Sequence, residues 1–354
     1  MAGMRGRAAR EPNRHMRLTA LMVVWLALAL TSCAPPGSDS PGPTATAAPA
    51  TLTLPPMLGA YHIYATDLLT GDVASLGTQT VQVGRSVHGI GLSRDGDWLY
   101  VTDVAANRLV EYRLVNGKLT DERAVTVGAQ PVHMVETMDL RYVFVSNFGG
   151  SSVSVVSTQT WSVVKTIATP QTPHSVVLSP DGKTIYVACY QSHTVAIIDV
   201  ASQSLLGTIP FPAQALPYGL AISPNGRYIY ASDNFGGRLY VASTATRRLT
   251  TSIAIGKLPA LIARAPDGRT IYVADGGSRA VSVVNISNPA APQVSAMVSV
   301  DGAPHGLSVT PDGRYVVVAG TSSGMLSFID TLTDTQIATI SGMRYPNDTL
   351  ATAA

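Results

Sequence analysis

Histidine is the residue type whose placement in this sequence could do chemistry. His88, His133, His174 and His305 each open a short run of alternating apolar residues, and Tyr218, Ala260 and Asn347 open the corresponding runs in other parts of the chain. Successive spacings are 45, 41, 44, 42, 45 and 42 residues. An imidazole titrates near neutrality and can donate, accept or ligate. Such a column could bond neighbouring backbone in each copy, contact a polar ligand, or bind a transition metal such as zinc or copper. No Cys or carboxylate accompanies the histidines at their positions, and no HxH or HxxxH pair exists. The reading therefore assigns His88, His133, His174, Tyr218, His305 and Asn347 to ligand contact, with no metal and no cofactor. Glu136 and Arg264 interrupt otherwise uncharged runs. They could serve a substrate carboxylate, but mutual pairing is favoured, because an unpaired charge there would be costly.

Other chemistry-bearing patterns are missing. The sequence has no nucleophile elbow, no Cys/His arrangement, no carboxylate dyad and no HExxH. The Gly pairs at 149–150, 236–237 and 276–277 precede no helix signal and read as turn formers, not phosphate loops. Asp103, Asn147, Asp233 and Asp275 close similar apolar runs, where short polar side chains bond their own backbone in turns.

The element that must carry the histidines is clearest between Pro173 and Ile209. It reads as four short strands and three turns, the first turn being Pro180-Asp181-Gly182. The unit recurs in six complete copies. Turns of the same kind are Arg94-Asp95-Gly96, Pro224-Asn225-Gly226, Pro266-Asp267-Gly268 and Pro311-Asp312-Gly313. The second copy has Met138-Asp139-Leu140, a turn expected to be built differently. A period of 40–45 residues with four strands per unit is the signature of propeller blades. A seventh first strand starts at Pro346, while His62–Asp67 and Val73–Leu76 read as third and fourth strands, with Thr51–Leu54 as the missing second one. The predicted fold is all-β: a seven-bladed β-propeller of four-stranded antiparallel blades, the last closed by N- and C-terminal strands, which removes sheet edges. In that geometry the histidines gather at the rim of the central channel and the Pro-Asp-Gly turns lie on the opposite face.

The second strands carry Tyr100-Val101-Thr102-Asp103, Phe144-Val145-Ser146-Asn147, Tyr186-Val187-Ala188-Cys189, Tyr230-Ala231-Ser232-Asp233 and Tyr272-Val273-Ala274-Asp275. They resemble the Tyr-Val-Thr-Asn motif of the YVTN β-propeller family of bacterial and archaeal surface proteins, over roughly residues 60–351. That resemblance implies blades more than any one activity.

Composition bounds the rest. The 354 residues are 46% hydrophobic and 13% charged with a net charge of +2. This carries no basic footprint for nucleic acid. Residues 1–32 read as a signal peptide, with Arg5, Arg7, Arg10, Arg14 and Arg17 before the apolar stretch Leu18–Leu30. Leu30-Thr31-Ser32-Cys33 resembles the bacterial lipobox, which implies cleavage before Cys33 and lipid attachment to it. Residues 33–50 read as a lipidated cysteine and flexible tether rich in Pro, Ala, Ser and Thr, and 51–354 as the propeller. Cys189 is the only other cysteine, so no internal disulfide remains.

The expected protein is thus an extracytoplasmic, lipid-anchored binding scaffold, held to the cell envelope through Cys33. Its channel mouth and top-face loops face a protein or small-molecule partner. Two alternatives stand beside it. Similar seven-bladed propellers include lactonases, which would place a lactonase-like or lyase-like site among His88, His133, Glu136, Arg264 and His305. Others resemble accessories of redox dehydrogenases, although no CxxCH haem site is present.

Overall fold

Seven four-stranded antiparallel sheets form the ring in a computed structural model that describes residues 52–354. Blades 1 to 6 begin with the innermost strands Val87–Leu92, Pro131–Glu136, Pro173–Leu178, Pro217–Ile222, Pro259–Arg264 and Pro304–Val309, and each continues outward in sequence order. Two single 3-10 turns, Pro56–Leu58 and Tyr190–Ser192, are the helical segments among the described residues. The cysteine at position 33, the signal peptide and the tether lie outside the described residues.

Blade 7 is closed by both ends of the chain. Pro346–Ala353 is its innermost strand, and it pairs with Tyr61–Asp67, followed outward by Asp72–Ser75 and Gln79–Gln82. Residues 61–67 are therefore the second strand, not the third, and the segment near Leu54 forms no strand. The sequence contains the reason: Tyr64-Ala65-Thr66-Asp67 is a further copy of the second-strand motif. Leu52 and Leu54 instead pack against the apolar cluster between blades 6 and 7.

Every blade interface has its own apolar core. Seven clusters of buried side chains lie between successive sheets, including the interfaces on both sides of the closing blade. A blade buries its faces only against its two neighbours, so each depends on both for its packing.

The second-strand motif also ties blades together. Thr66 Oγ1 donates to the His88 carbonyl at 2.8 Å, Thr102 Oγ1 to Val132 O at 2.9 Å, Ser146 Oγ to His174 O at 2.6 Å, and Ser232 Oγ to Ala260 O at 2.6 Å. Each accepting carbonyl belongs to the next blade's inner strand, at the channel. The Tyr-Val-Thr-Asn pattern is thereby a device for setting inner strands around the axis.

The turns opposite are uniform. Gly96, Gly182, Gly226, Gly268 and Gly313 all have φ between 68° and 82°. Leu140 adopts φ 61° at the same place, and its N–H reaches Thr137 O at 3.1 Å as the Gly96 N–H reaches Ser93 O at 3.0 Å. The second copy thus builds the same turn as the others, with a leucine forced into the left-handed region.

Candidate functional site

The inner strands bring six polar side chains to one end of the channel. Strand pairing fixes their register: Val87 is opposite Asp103, Pro131 opposite Asn147, Pro173 opposite Cys189 and Pro304 opposite Gly320. His88, His174, Tyr218 and His305 each follow such a residue. His133 does not. Val132 holds that place in blade 2, and His133 lies one residue further along, level with Gly89 in blade 1 and Asp348 in blade 7. The spacings of 45 and 41 residues on either side of His133 reflect this one-residue offset. It matters because successive strand residues point to opposite faces.

Despite the offset, the rings meet. Centroids are 4.9 Å apart for His88 and His133, 4.8 Å for His133 and His174, and 5.4 Å for His88 and His174, all edge to face. Tyr218 joins the cluster from blade 4 and does not lie apart from it. Its ring stacks on His174 at 3.7 Å, and its hydroxyl is 2.9 Å from His305 Nε2. His305 Nδ1 is 3.0 Å from the Asn347 carbonyl, which can only accept, so Nδ1 carries the proton and Nε2 accepts from Tyr218. His88 and His174 form the buried floor, while His133, Tyr218 and His305 are the partly exposed side.

Asp348, which the sequence reading passed over, completes the set. Its Oδ2 lies 3.9 Å from His133 Nδ1. The two residues reach each other because Gly89 stands between their blades: a Cβ there would come within 2.1 Å of Val132 O and 3.1 Å of His133 Nδ1. Gly306 does the same on the other flank, since its Cβ would lie 2.5 Å from Asp348 Oδ1. The signal was available in the adjacent column, Gly89, His133, Ser175, Gly219, Leu261, Gly306 and Asp348, once the register was right.

Burial governs the charges here. It lowers the pKa of His133 to about 3, helped by the field of His305, and holds His88, His174 and His305 below their ordinary range. It pushes Asp348 up to about 7, against the backbone N–H groups of Thr349 and Ile90, which favour the carboxylate. At neutral pH the cluster is a set of uncharged imidazoles beside a carboxyl group poised to lose its proton.

Three residues proposed from sequence play other parts. Asn347 is buried, and its amide donates to the His88 carbonyl at 3.3 Å, bracing blade 7 against blade 1. Glu136 ends its strand at the far face, where Oε1 accepts from Tyr100 Oη at 2.8 Å and Oε2 from the Arg94 N–H at 2.8 Å. It borders a cavity of about 260 Å³ between blades 1 and 2, away from the histidines. Arg264 is exposed at the end of its own strand and makes no ion pair with Glu136. Residues four or more positions into an inner strand lie at the opposite mouth, about 3.3 Å per residue from the rim. Cys189 is buried and its thiol is pushed up to about 12 by burial, so it offers no thiolate.

Fold and site together define a propeller with a polar channel mouth, and the chain belongs to the family described as Lactonase, 7-bladed beta-propeller, whose sequence model matches residues 59–336. The Tyr-Val-Thr-Asn resemblance identified the blade pattern, while the family shown is the lactonase one. Among curated proteins, the 6-phosphogluconolactonase of Photorhabdus laumondii is 24% identical over 269 residues, spanning 70% of this chain and 82% of that protein. The periplasmic gluconolactonase of Pseudomonas aeruginosa has a similar structure, with a TM-score of 0.71, 18% identity and coverage of 83% of this chain and 99% of that one. A chain of Kuenenia stuttgartiensis hydrazine synthase also matches, with a TM-score of 0.65, 22% identity and coverage of 73% and 87%. At these identities the solved structures speak for the fold alone.

Proposed function

We propose that the chain hydrolyses a sugar-acid lactone at the channel mouth. The observation that carries this reading is the meeting of His88, His133, His174 and Asp348 at one end of the channel in a member of a lactonase family. It is favoured over the binding scaffold because the family model and the curated relative both carry a lactonase description.

Lactone hydrolysis needs a water activated toward the ring carbonyl carbon, a donor for the developing oxyanion, and a proton for the departing ring oxygen. Asp348 is the available base. It takes a proton from the attacking water as the carbon–oxygen bond forms, and returns it to the ring oxygen as the ester bond breaks, leaving a hydroxy acid. His133, partly exposed beside Asp348, is the imidazole of the cluster that stands nearest an incoming carbonyl oxygen. Tyr218 and His305 satisfy each other and form the wall. The named cluster contains no Lys or Arg, which favours an uncharged lactone over a phosphorylated one.

The test is proton release from a glucono-lactone measured against spontaneous hydrolysis. The reading expects a catalysed rate that falls by about 10²–10⁴-fold in Asp348→Asn, the usual worth of a general base. Equal rates with and without protein would leave the scaffold reading in its place. We also propose that Cys33 anchors the protein outside the cytoplasmic membrane, supported by the basic residues, apolar stretch and Leu30-Thr31-Ser32-Cys33 of the N-terminus. Cys33→Ala should then abolish fatty-acid labelling and release the protein from the membrane fraction.

A further inference from the structure

The geometry points to a transition-metal site: His88, His133 and His174 hold one divalent ion of the zinc class through three imidazole nitrogens, with a fourth position open toward the channel mouth. One ring nitrogen from each residue lies within 4.8 Å of one from each of the others. A triangle of that size has its centre about 2.8 Å from each corner. Closing to the 2.0–2.1 Å of a zinc–imidazole bond moves each nitrogen by under about 1 Å, within reach of small side-chain rotations.

The hydrogen bonding singles out the same three residues. His133 Nε2 is buried without a hydrogen-bond partner, and Nδ1 of His88 and of His174 make no hydrogen bond of normal geometry, although the backbones of Val132 and Tyr218 lie beside those two rings. Buried polar groups are almost always paired, and three unpaired imidazole nitrogens in one cluster call for a shared partner. His305 gives the contrast. It lies in the same cluster, with its ring centroid 5.7 Å from that of His88, yet both its nitrogens are engaged, by Tyr218 and by the Asn347 carbonyl. The cluster therefore divides into three rings that each keep a nitrogen free to ligate and one ring whose two nitrogens are both engaged.

The surroundings suit a cation. Asp348 stands 3.9 Å from Nδ1 of His133, on the side away from its unpaired Nε2, close enough for its carboxylate to offset the charge of the ion. His88 and His174 are only 3% and 2% exposed, so an ion held there would be shielded from bulk water. Blades 1, 2 and 3 supply one ligand each, so the ligands recur at blade spacing and not as a short local motif. Three protein ligands and one open position match catalytic zinc sites, where bound water is acidified toward neutrality. Any part of the ion in hydrolysis rests on the lactonase reading; the binding itself does not.

The full-length protein, purified in detergent without a polyhistidine tag and stripped with chelator, tests this by titration with Zn²⁺ and Co²⁺. The expected result is one equivalent bound, with a visible Co²⁺ spectrum of low-symmetry, nitrogen-ligated geometry. Affinity should fall at least 10-fold in His88→Ala, His133→Ala or His174→Ala, and by 10-fold or more in Asp348→Asn, which preserves packing if the others fail to fold. His62→Ala, outside the cluster, should bind as the unaltered protein does. No stoichiometric binding of either ion, or binding indifferent to His174→Ala and Asp348→Asn, overturns the site. Stoichiometric binding without lactone hydrolysis sinks the lactonase reading and leaves the metal site standing. Hydrolysis that survives chelation, by protein that takes up no metal, does the reverse.

Discussion

At the channel mouth one carboxyl group and four imidazoles are held by the same burial, which acts on them in opposite directions. The histidines have folded-state pKa values below the unfolded 6.5, so the stability they contribute is present above about pH 6.5 and is lost as pH falls toward 3. Asp348 has a raised folded-state pKa, so its carboxyl favours the fold at low pH and disfavours it as pH rises through about 7. The histidines outnumber it. Metal-free protein should therefore lose stability on acidification from pH 6.5 to 4 by at least one net proton, about 1.4 kcal/mol per pH unit, in chemical denaturation across that range. A flat profile would show that the rings are hydrated. Glu136 supplies the matching control at the far mouth. Glu136→Gln weakens one buried and one partly buried hydrogen bond and should cost about 1–3 kcal/mol in stability, while lactone hydrolysis stays within about twofold.

Within a blade, the turn and the second strand do the positioning. Leu140 occupies a left-handed conformation that its five counterparts fill with glycine, at a cost of about 1–2 kcal/mol. Its side chain is 36% exposed, so little burial is at stake. Leu140→Gly should stabilise the protein by about 0.5–1 kcal/mol after the added freedom of the unfolded chain is subtracted, read as a rise in Tm. The hydroxyl bridges are the complementary case. Ser232→Ala removes the 2.6 Å bond to the Ala260 carbonyl between blades 4 and 5 and should cost about 1–2 kcal/mol, leaving Ala260 O buried without its partner. An unchanged midpoint in denaturant would show that water replaces the hydroxyl.

Over the whole ring, stability depends on closure by a strand that arrives last. Pro346–Ala353 carries Asn347 and Asp348 and pairs along its length with Tyr61–Asp67. Truncation before Pro346 would expose the edge of that strand and the apolar clusters on both sides of blade 7. It should remove most of the roughly 5–15 kcal/mol typical of a folded domain and convert a soluble species to aggregate in gel filtration. A truncated chain that elutes as a compact monomer would mean the other six blades hold without it.

The sequence by itself determined the blade and its number, because period-2 alternation and Pro-Asp-Gly turns are local properties repeated every 40–45 residues. It also marked His88, His174 and His305, which fall at one place in that repeat. Tyr64-Ala65-Thr66-Asp67 shows that even the closing strand order was legible to a stricter reading of the motif. The tertiary structure alone decided which groups touch. A one-residue offset within a strand turns His133 toward Asp348 and hides Val132, and residues 215 positions apart become neighbours only when the ring shuts. Glu136 was misplaced for the same reason: the distance along an inner strand sends its end to the opposite mouth, where Tyr100 and Arg94 take it up. Spacing along the chain records the period of the blades. Contact across the axis depends on register and on the absence of side chains at Gly89 and Gly306, which spacing does not carry.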